Sequence, residues 1–334
     1  MKYDVVTIGD ASEDIFIRPE GLKISSGRGL LNREVSFELG TKIAIPEAEF
    51  DIGGSACNTA VGFARLGLKS STIIALGDDG ASSKIAERLS DEGVAISNIV
   101  HKKELLANFS VIFLVGDERT IFIHRYLKHY GLLSPKKIIK AEWMYLGPYG
   151  EDGDILSKSI LYLTAEKNIK LAWNPGSNQI KQGAQRYKAL LANTKILFLN
   201  KEEAINFINL PVSSKTEELL KTFSGYGVKF VVITDGKRGA DCFDGERMYH
   251  IDALNQKRVD ATGAGDSFAC GFAARVIRAK SDAISSDTVK ESLIWGILDS
   301  SSVVNVIGAQ KGLLTKSGME EAISSNPRLS VDIK

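Results

Sequence analysis

The chain has 334 residues, 44% of them hydrophobic and 25% charged, which are the proportions of an ordinary folded protein and not of a disordered one. Its 42 basic and 41 acidic side chains leave a net charge of +1, so no long-range field gathers nucleic acid or an anionic membrane, and any phosphate must be bound locally. Three widely spaced cysteines in apolar stretches, Cys57, Cys242 and Cys270, suggest neither a disulfide framework nor a zinc site, and fit a reducing cytoplasm.

The opening MKYDVVTIGD reads as a short buried strand, without the long apolar stretch and small-residue cleavage site of a secretion signal. No run approaches about 18 consecutive apolar residues, so no membrane span is expected. Further along, STIIALG, EWMYLG, IKLAWN, KILFLN and KFVVITDG repeat the pattern of a strand buried on both faces, as in a parallel sheet. Segments 55–66, 82–92, 154–167, 215–226 and 266–280 between them carry helical periodicity. This alternation predicts a doubly wound α/β layer structure forming one domain over 1–334.

Two stretches break the rhythm. Residues 15–51 hold alternating strand-like runs, and 108–124 reads as a hairpin around the polar turn 116–119. They are expected to join into a small sheet projecting from the core as a lid, and only the tail after Asn326 is expected to fray.

The sharpest chemical signal is VDATGAGDSFACGFAARVI. A strand end at Val259 passes through small residues into a long helix, and Gly263 and Gly265 leave backbone N–H groups uncovered at its N-terminus. Such a terminus suits negative charge developing on a transferring phosphoryl group, and Asp266 follows where it can accept the proton of an attacking hydroxyl. Read alone, GAGD serves equally well as a tight strand-to-helix turn with a favourable Asp in the first helical turn, and the helix dipole is expected to depress the pKa of that Asp. In FDIGGSACNTAVGFARLG, Gly53 and Gly54 lead into a helix of small residues with Asn58 one turn inside, a pattern that serves close approach to a ligand or tight packing on a sheet.

The pair GGSACNTA and DATGAGDSF resembles the two signatures of the ribokinase, or PfkB, family of carbohydrate kinases. VTIGDASED, GDDG, NKEEA, TDGKRGA and VVNVIGAQKG recur in order between and around them, so the resemblance covers nearly the whole chain. It implies a ribokinase-like three-layer α/β/α sandwich with a mostly parallel central sheet and a β lid. It further implies an ATP-dependent phosphotransferase acting on a hydroxyl of a small sugar or sugar acid.

Position by position, the resemblance makes Asp266 the catalytic base and Gly263, Ala264 and Gly265 the anion hole. Asp14, with Asp10 or Ser12, falls at the end of the first strand, where the family holds substrate hydroxyls; Gly53, Gly54, Ser55 and Asn58 form the second acceptor segment. A carboxylate accepts two hydroxyl protons and an amide both donates and accepts, which is what a polyol needs. Asn200 and Glu203 match an Asn-x-x-Glu motif near the phosphates that orders magnesium largely through water, although the same pair serves as a capped helix start. Thr234, Gly236, Lys237 and Gly239, with Gly265, lie along the ATP; no Walker A pattern is present. Asp260 and Thr262 match a loop that binds a monovalent cation, potassium, in many members, completed by backbone oxygens near Val303, Val306 and Gly308.

The sequence departs from the family pattern at three places: Ser55 stands where ribose-specific members carry Lys, Gly147 near the position of a substrate-contacting Glu, and Ala261 in place of a common Thr. The first two argue against ribose. Arg125, at the end of the hairpin, reads either as an acceptor or phosphate contact or as a surface side chain, and Trp173 as ligand contact or core. A purine-nucleoside acceptor is the main alternative within the class, and a catalytically silent sugar or nucleotide binder the alternative outside it. A dinucleotide-dependent oxidoreductase is disfavoured, because the first strand lacks a Gly-x-Gly-x-x-Gly turn. Exposed lid strands need cover, and a homodimer through the lid is expected.

Overall fold

The structure, a computed structural model, describes residues 2–27, 33–116, 118–134, 140–150, 153–256, 258–281 and 284–334. The first half runs β1 (Tyr3–Ile8), β2 (Ser12–Arg18), β3 (Lys23–Ser25), β4 (Glu34–Ser36), β5 (Glu47–Gly53), α1 (Ser55–Arg65), β6 (Ser70–Ile73), β7 (Ala75–Leu76), α2 (Gly80–Asp91), β8 (Val100–His101), β9 (Asn108–Val115) and β10 (Glu118–His124). Then come β11 (Ala141–Leu146), α3 (Asp154–Lys167), β12 (Lys170–Trp173), α4 (Ser177–Gln182), α5 (Lys188–Ala192), β13 (Thr194–Asn200), α6 (Lys201–Ile208), α7 (Thr216–Gly225) and β14 (Phe230–Thr234). The last elements are β15 (Ala240–Phe243), β16 (Met248–Ile251), α8 (Ala264–Arg278), α9 (Ser286–Val303), α10 (Lys316–Ser325) and β17 (Asp332–Ile333).

Nine strands form the central sheet in the order β17-β16-β15-β14-β13-β12-β11-β1-β6. From β6 to β14 the neighbours are parallel, and β15, β16 and β17 extend the far edge antiparallel. Successive side chains of a strand face opposite sides, so each apolar run is divided between two cores. Val6, Ile8, Met144, Leu146, Leu197, Leu199, Val231 and Ile233 pack on the side of α3, α6 and α7. Their neighbours Val5, Trp143, Tyr145, Ile196, Phe198 and Val232 pack on the side of α1, α8 and α9. Helices on both faces are why these strands are apolar throughout, and they give the three-layer α/β/α arrangement. Trp173 belongs to the first core, fully buried edge-on to Tyr187 and Phe207, so its ligand-contact reading is set aside.

A second sheet has the order β10-β9-β2-β5, with β2 parallel to β9 and antiparallel to β5. It starts at Ser12 and ends its first limb at Gly53, slightly wider than the 15–51 stretch. Residues 28–32 of that stretch, and Asp117 of the hairpin turn, lie outside the described residues. Ser12 and Asp14 therefore sit on β2, on the underside of this sheet, and not at the end of the first strand, because β1 stops at Ile8 and the chain crosses over before them. The tail is a second correction. Asp332 and Ile333 pair with His250 and Tyr249, since β16 would otherwise be an open edge.

Asp299 of α9 is fully buried, takes one hydrogen bond from the Leu314 N–H at 2.8 Å, and has no partner for its second oxygen among the described residues. Burial pushes its carboxyl up to about 7. Between its ordinary value of 3.8 and about 7 the folded chain holds a proton that the unfolded chain has released. Asp299 thus adds stability that is complete below about pH 4 and is lost as pH rises through about 7. Urea titrations across pH 4 to 8 should show this fall, and Asp299→Asn should make it shallower; an unchanged slope in the variant would remove Asp299 as a contributor.

Candidate active site

Two cavities lie on either side of one turn. The first, of about 120 Å³, is lined by Thr234, Gly236 and Gly239 after β14, by Gln256 and Arg258, by Ala261, Ala264 and Gly265, and by Phe268, Ile297 and Val304. The second, of about 300 Å³, lies between the turn and the small sheet, with Asp10, Ser12, Asp14, Gly54, Ser55, Asn58, Arg125, Thr262, Gly263 and Asp266 in its walls. Residues 261–266 are the partition, and side chains or backbone from this single segment face both spaces.

Local geometry makes the partition thin. Gly263 precedes α8 with φ of 77°, a left-handed conformation, and a Cβ there would lie 2.6 Å from Ala309. Asp260 ties the turn down, with Oδ1 accepting from the Thr262 N–H and hydroxyl at 2.9 and 2.7 Å and Oδ2 accepting from the Gly308 N–H at 3.1 Å. The Ala264 N–H turns back to the Ala261 carbonyl at 3.3 Å, so it is not open for an anion as the sequence suggested. Open donors at this helix start are the N–H groups of Gly265 and Asp266, which have no main-chain acceptor among the described bonds.

Asp266 is held by α1. Ser55 Oγ donates to Oδ1 at 2.5 Å and Asn58 Nδ2 donates to Oδ2 at 2.9 Å. Gln310, fully buried, donates from Nε2 to Asn58 Oδ1 at 3.1 Å, which fixes which end of the Asn58 amide faces the carboxylate. The expectation of a depressed Asp266 is corrected: burial raises its carboxyl, and the two donors from α1 only partly offset that.

On the opposite wall, β2 and β9 present Ser12 beside Asn108 and Asp14 beside Ser110 in register. Ser12 Oγ donates to Asp14 Oδ1 at 2.9 Å, and burial holds the Asp14 carboxyl up at about 6. Gly53 leaves the room this needs, because a Cβ there would come within 1.9 Å of Asp14 Oδ2. Gly54, at φ of 89°, lets the start of α1 press on the Asp10 backbone. Asp10 is occupied otherwise than expected: Arg125 Nε donates to Oδ2 at 2.8 Å and the Tyr130 hydroxyl donates to Oδ1.

Asn200 and Glu203 form a capping box at α6, with Glu203 N–H to Asn200 Oδ1 at 2.8 Å and Asn200 N–H to Glu203 Oε2 at 2.9 Å. Burial, and secondarily the charge of Asp266, push the Glu203 carboxyl up to about 7. Lys237 is exposed and lines neither cavity, in contrast to Thr234, Gly236 and Gly239 around it. Gln256, Arg258, Asn108, Ser110 and Gln310 are site residues that sequence reasoning missed. For Asn108 and Ser110 the signal was present in the alternation of NFSVIFLV, whose Asn108, Ser110 and Ile112 share a buried face.

The chain matches the pfkB family carbohydrate kinase pattern over residues 29–315. It is similar to a nucleoside kinase of Methanocaldococcus jannaschii, at 26% identity over 303 residues, covering 89% of this chain and 93% of the relative. An ATP-dependent 6-phosphofructokinase of Thermoanaerobacterium thermosaccharolyticum is 24% identical over 324 residues, covering 92% and 90%. The solved structure of Arabidopsis thaliana ribokinase complexed with ribose and ATP superposes with a TM-score of 0.75 at 22% identity, covering 97% of this chain and 99% of that one. With its two glycine-rich turns, its second sheet and its paired cavities, this chain belongs to the pfkB family of carbohydrate kinases and phosphorylates its acceptor with ATP.

Proposed function

We propose that the acceptor hydroxyl binds in the larger cavity, ATP binds in the smaller, and the γ-phosphoryl group crosses the turn 263–266 in line between them. The observation that carries this is the position of that turn, which offers a carboxylate to one cavity and helix-start N–H groups to the other. Asp266 takes the proton of the attacking hydroxyl, and the N–H groups of Gly265 and Asp266 hold the phosphoryl oxygens as charge develops. The acceptor displaces Ser55 or Asn58 from the carboxylate as it binds. Asp14, Ser12 and Asn58 then meet its other hydroxyls.

Leu254, Phe268, Ile297 and Val304 give the ATP cavity apolar walls for a flat base, while Arg258 is a cation within reach of phosphates. Magnesium would fit near Asn200 and Glu203, whose hard oxygen donors suit such a cation, and it would supply charge neutralisation of the phosphates. Asp260 and Thr262 face the 304–308 loop in the arrangement expected of a potassium-dependent turn, although their side chains already bond within the protein. The small sheet acts as the lid of a single domain, excluding water that would compete as acceptor. A cytoplasmic location accords with three buried free thiols.

A nucleoside acceptor is the second reading. Ile112, Ile121 and Ile123 of the lid make an apolar wall above the cavity, suited to the face of a base. ADP release measured with ribose, fructose, adenosine and inosine, with and without potassium, separates the two.

The lid also leaves Phe50 and Phe122 more than half exposed on its two edge strands, and a second copy of the chain would cover them in a homodimer. Sedimentation at micromolar concentration should show the dimer, and Phe122→Lys should yield monomer; monomer for both proteins excludes it. Asp266→Asn should lower kcat by at least about 10³-fold with ATP binding nearly unchanged, whereas near-normal turnover would take the base role away from Asp266. Gln310→Leu leaves Asn58 Oδ1 buried without its donor, and should cost about 1–3 kcal/mol in urea unfolding. No loss of stability there would mean that Asn58 is held by other contacts.

A further inference from the structure

We infer that the acceptor is uncharged, and that Asp10 enforces this by neutralising Arg125, the single cation in the wall of the acceptor cavity among the described residues. The inference rests on the kinase reading given above.

The charged side chains of that wall are Asp10, Asp14, Asp266 and Arg125, three acids and one base. Arg125 alone could attract a carboxylate or phosphate on the acceptor. Its Nε is bound to Asp10 Oδ2 at 2.8 Å, and the Tyr130 hydroxyl covers Oδ1 of the same carboxylate, so the guanidinium charge is already matched within the protein. Asp10 is 8% exposed and the Arg125 side chain 26%, so the pair is half-buried and water screens it only in part.

The other two acids have neutral donors instead of cations. Asp14 receives the Ser12 hydroxyl, and Asp266 receives the Ser55 hydroxyl and the Asn58 amide. Both carboxyls are raised from their ordinary value by burial, as expected of acids that no nearby cation compensates. An acceptor bearing a phosphate or carboxylate would therefore meet two like charges and, among the described residues, no unmatched cation, a juxtaposition that disfavours it. A neutral polyol meets what it can use, namely acceptors at Asp14 and Asp266 and both kinds of group at Asn58.

Asp10 thereby has a structural task that its place in the cavity wall hides. Arg125 directly follows β10, and Asn108 Oδ1 accepts from the next two N–H groups, of Tyr126 and Leu127, at 2.9 and 3.3 Å. The ion pair ties the return from the lid to the crossover after β1. Arg125 is thus a fastening between lid and core, and Asp10 is the residue that keeps its charge from becoming an anion site.

The test uses the full chain and acceptors paired so that charge is the main difference: sorbitol with gluconate, ribose with ribonate, and fructose with fructose 6-phosphate. ADP release gives kcat/KM, and calorimetric titration in the absence of ATP gives binding. The neutral member of the preferred pair should exceed its anionic partner by about 100-fold, because like charges in the wall disfavour the anion. Asp10→Asn releases the Arg125 charge and should move the ratio at least about tenfold toward the anion. Arg125→Gln supplies no cation, and should leave the preference for the neutral member in place.

An anionic acceptor used or bound as well as its neutral partner overturns the inference, as does an unaltered ratio in a folded Asp10→Asn protein. Should that variant not fold, loss of the neutral preference in Arg125→Gln overturns it instead. Absence of binding by every neutral member, and by adenosine and inosine as well, counts against it too. Binding without turnover, by contrast, counts against the kinase mechanism and leaves the charge preference to be read from the titrations.

Discussion

The whole site depends on the turn from Asp260 to Asp266 being held rigid while remaining almost bare. Bareness comes from Gly263 and Gly265; a side chain at 263 would collide with Ala309, and one at 265 would enter the open space of the nucleotide cavity. Rigidity has to come from elsewhere, because glycine-rich backbone is entropically costly to order. The Asp260 carboxylate supplies it with three hydrogen bonds, to Thr262 within the turn and to Gly308 across from it. Loop 304–309 thus holds the turn in place besides lending Val304 to the wall of the smaller cavity, and its own glycine at 308, with φ of 96°, permits the approach. A preorganised set of donors stabilises developing charge without reorganising, which is what phosphoryl transfer asks of a protein that does little covalent chemistry itself.

The fold was legible where the signal was local and repeated. Six apolar runs predicted the six parallel strands because burial on both faces leaves no polar positions in them, and segments 55–66 and 154–167 nearly coincide with α1 and α3. The antiparallel extension was missed. ADCF and MYHI are only four residues each and mix charged with apolar side chains, since they lie toward the margin of the sheet. The pairing of the tail with β16 was hidden for the same reason, as a two-residue strand has no periodicity to detect. Boundaries of the lid were displaced because its first strand follows β1 after a crossover of three residues, and the two read in sequence as one opening segment.

Within the site, legibility divides by sequence distance. Asp266, Gly263 and Gly265 lie in one motif, and the structure sets Gly265 in the wall of the smaller cavity and Gly263 and Asp266 in that of the larger. The Asn200 and Glu203 motif serves as a helix cap, and it sets the half-buried Glu203 carboxylate where the charge of Asp266 also reaches it. Asp10 was legible as a site residue but not as the partner of Arg125, a contact between residues 115 positions apart that follows from how the lid returns to the core. Gln310 carries no local sign at all. It matters only because α1 brings Asn58 within 3.1 Å of it, and no pattern in a single sequence records that.

Two departures from the family pattern, at Ser55 and Gly147, turn out to be one. A Cβ on residue 147 would stand 3.0 Å from Ser55 Oγ and 3.2 Å from its Cβ, tighter than ordinary contact, so a bulkier residue at 147 would push Ser55 away from Asp266. Keeping 147 bare lets a short hydroxyl at 55 reach the carboxylate at 2.5 Å. A lysine at 55 would instead bring a full charge to Asp266, holding the carboxylate ionised more strongly and weakening it as a base. With a hydroxyl and an amide, burial keeps the upper hand and the carboxyl remains raised. The pair of departures therefore alters the cavity and the proton affinity of its carboxylate together, through the same few atoms.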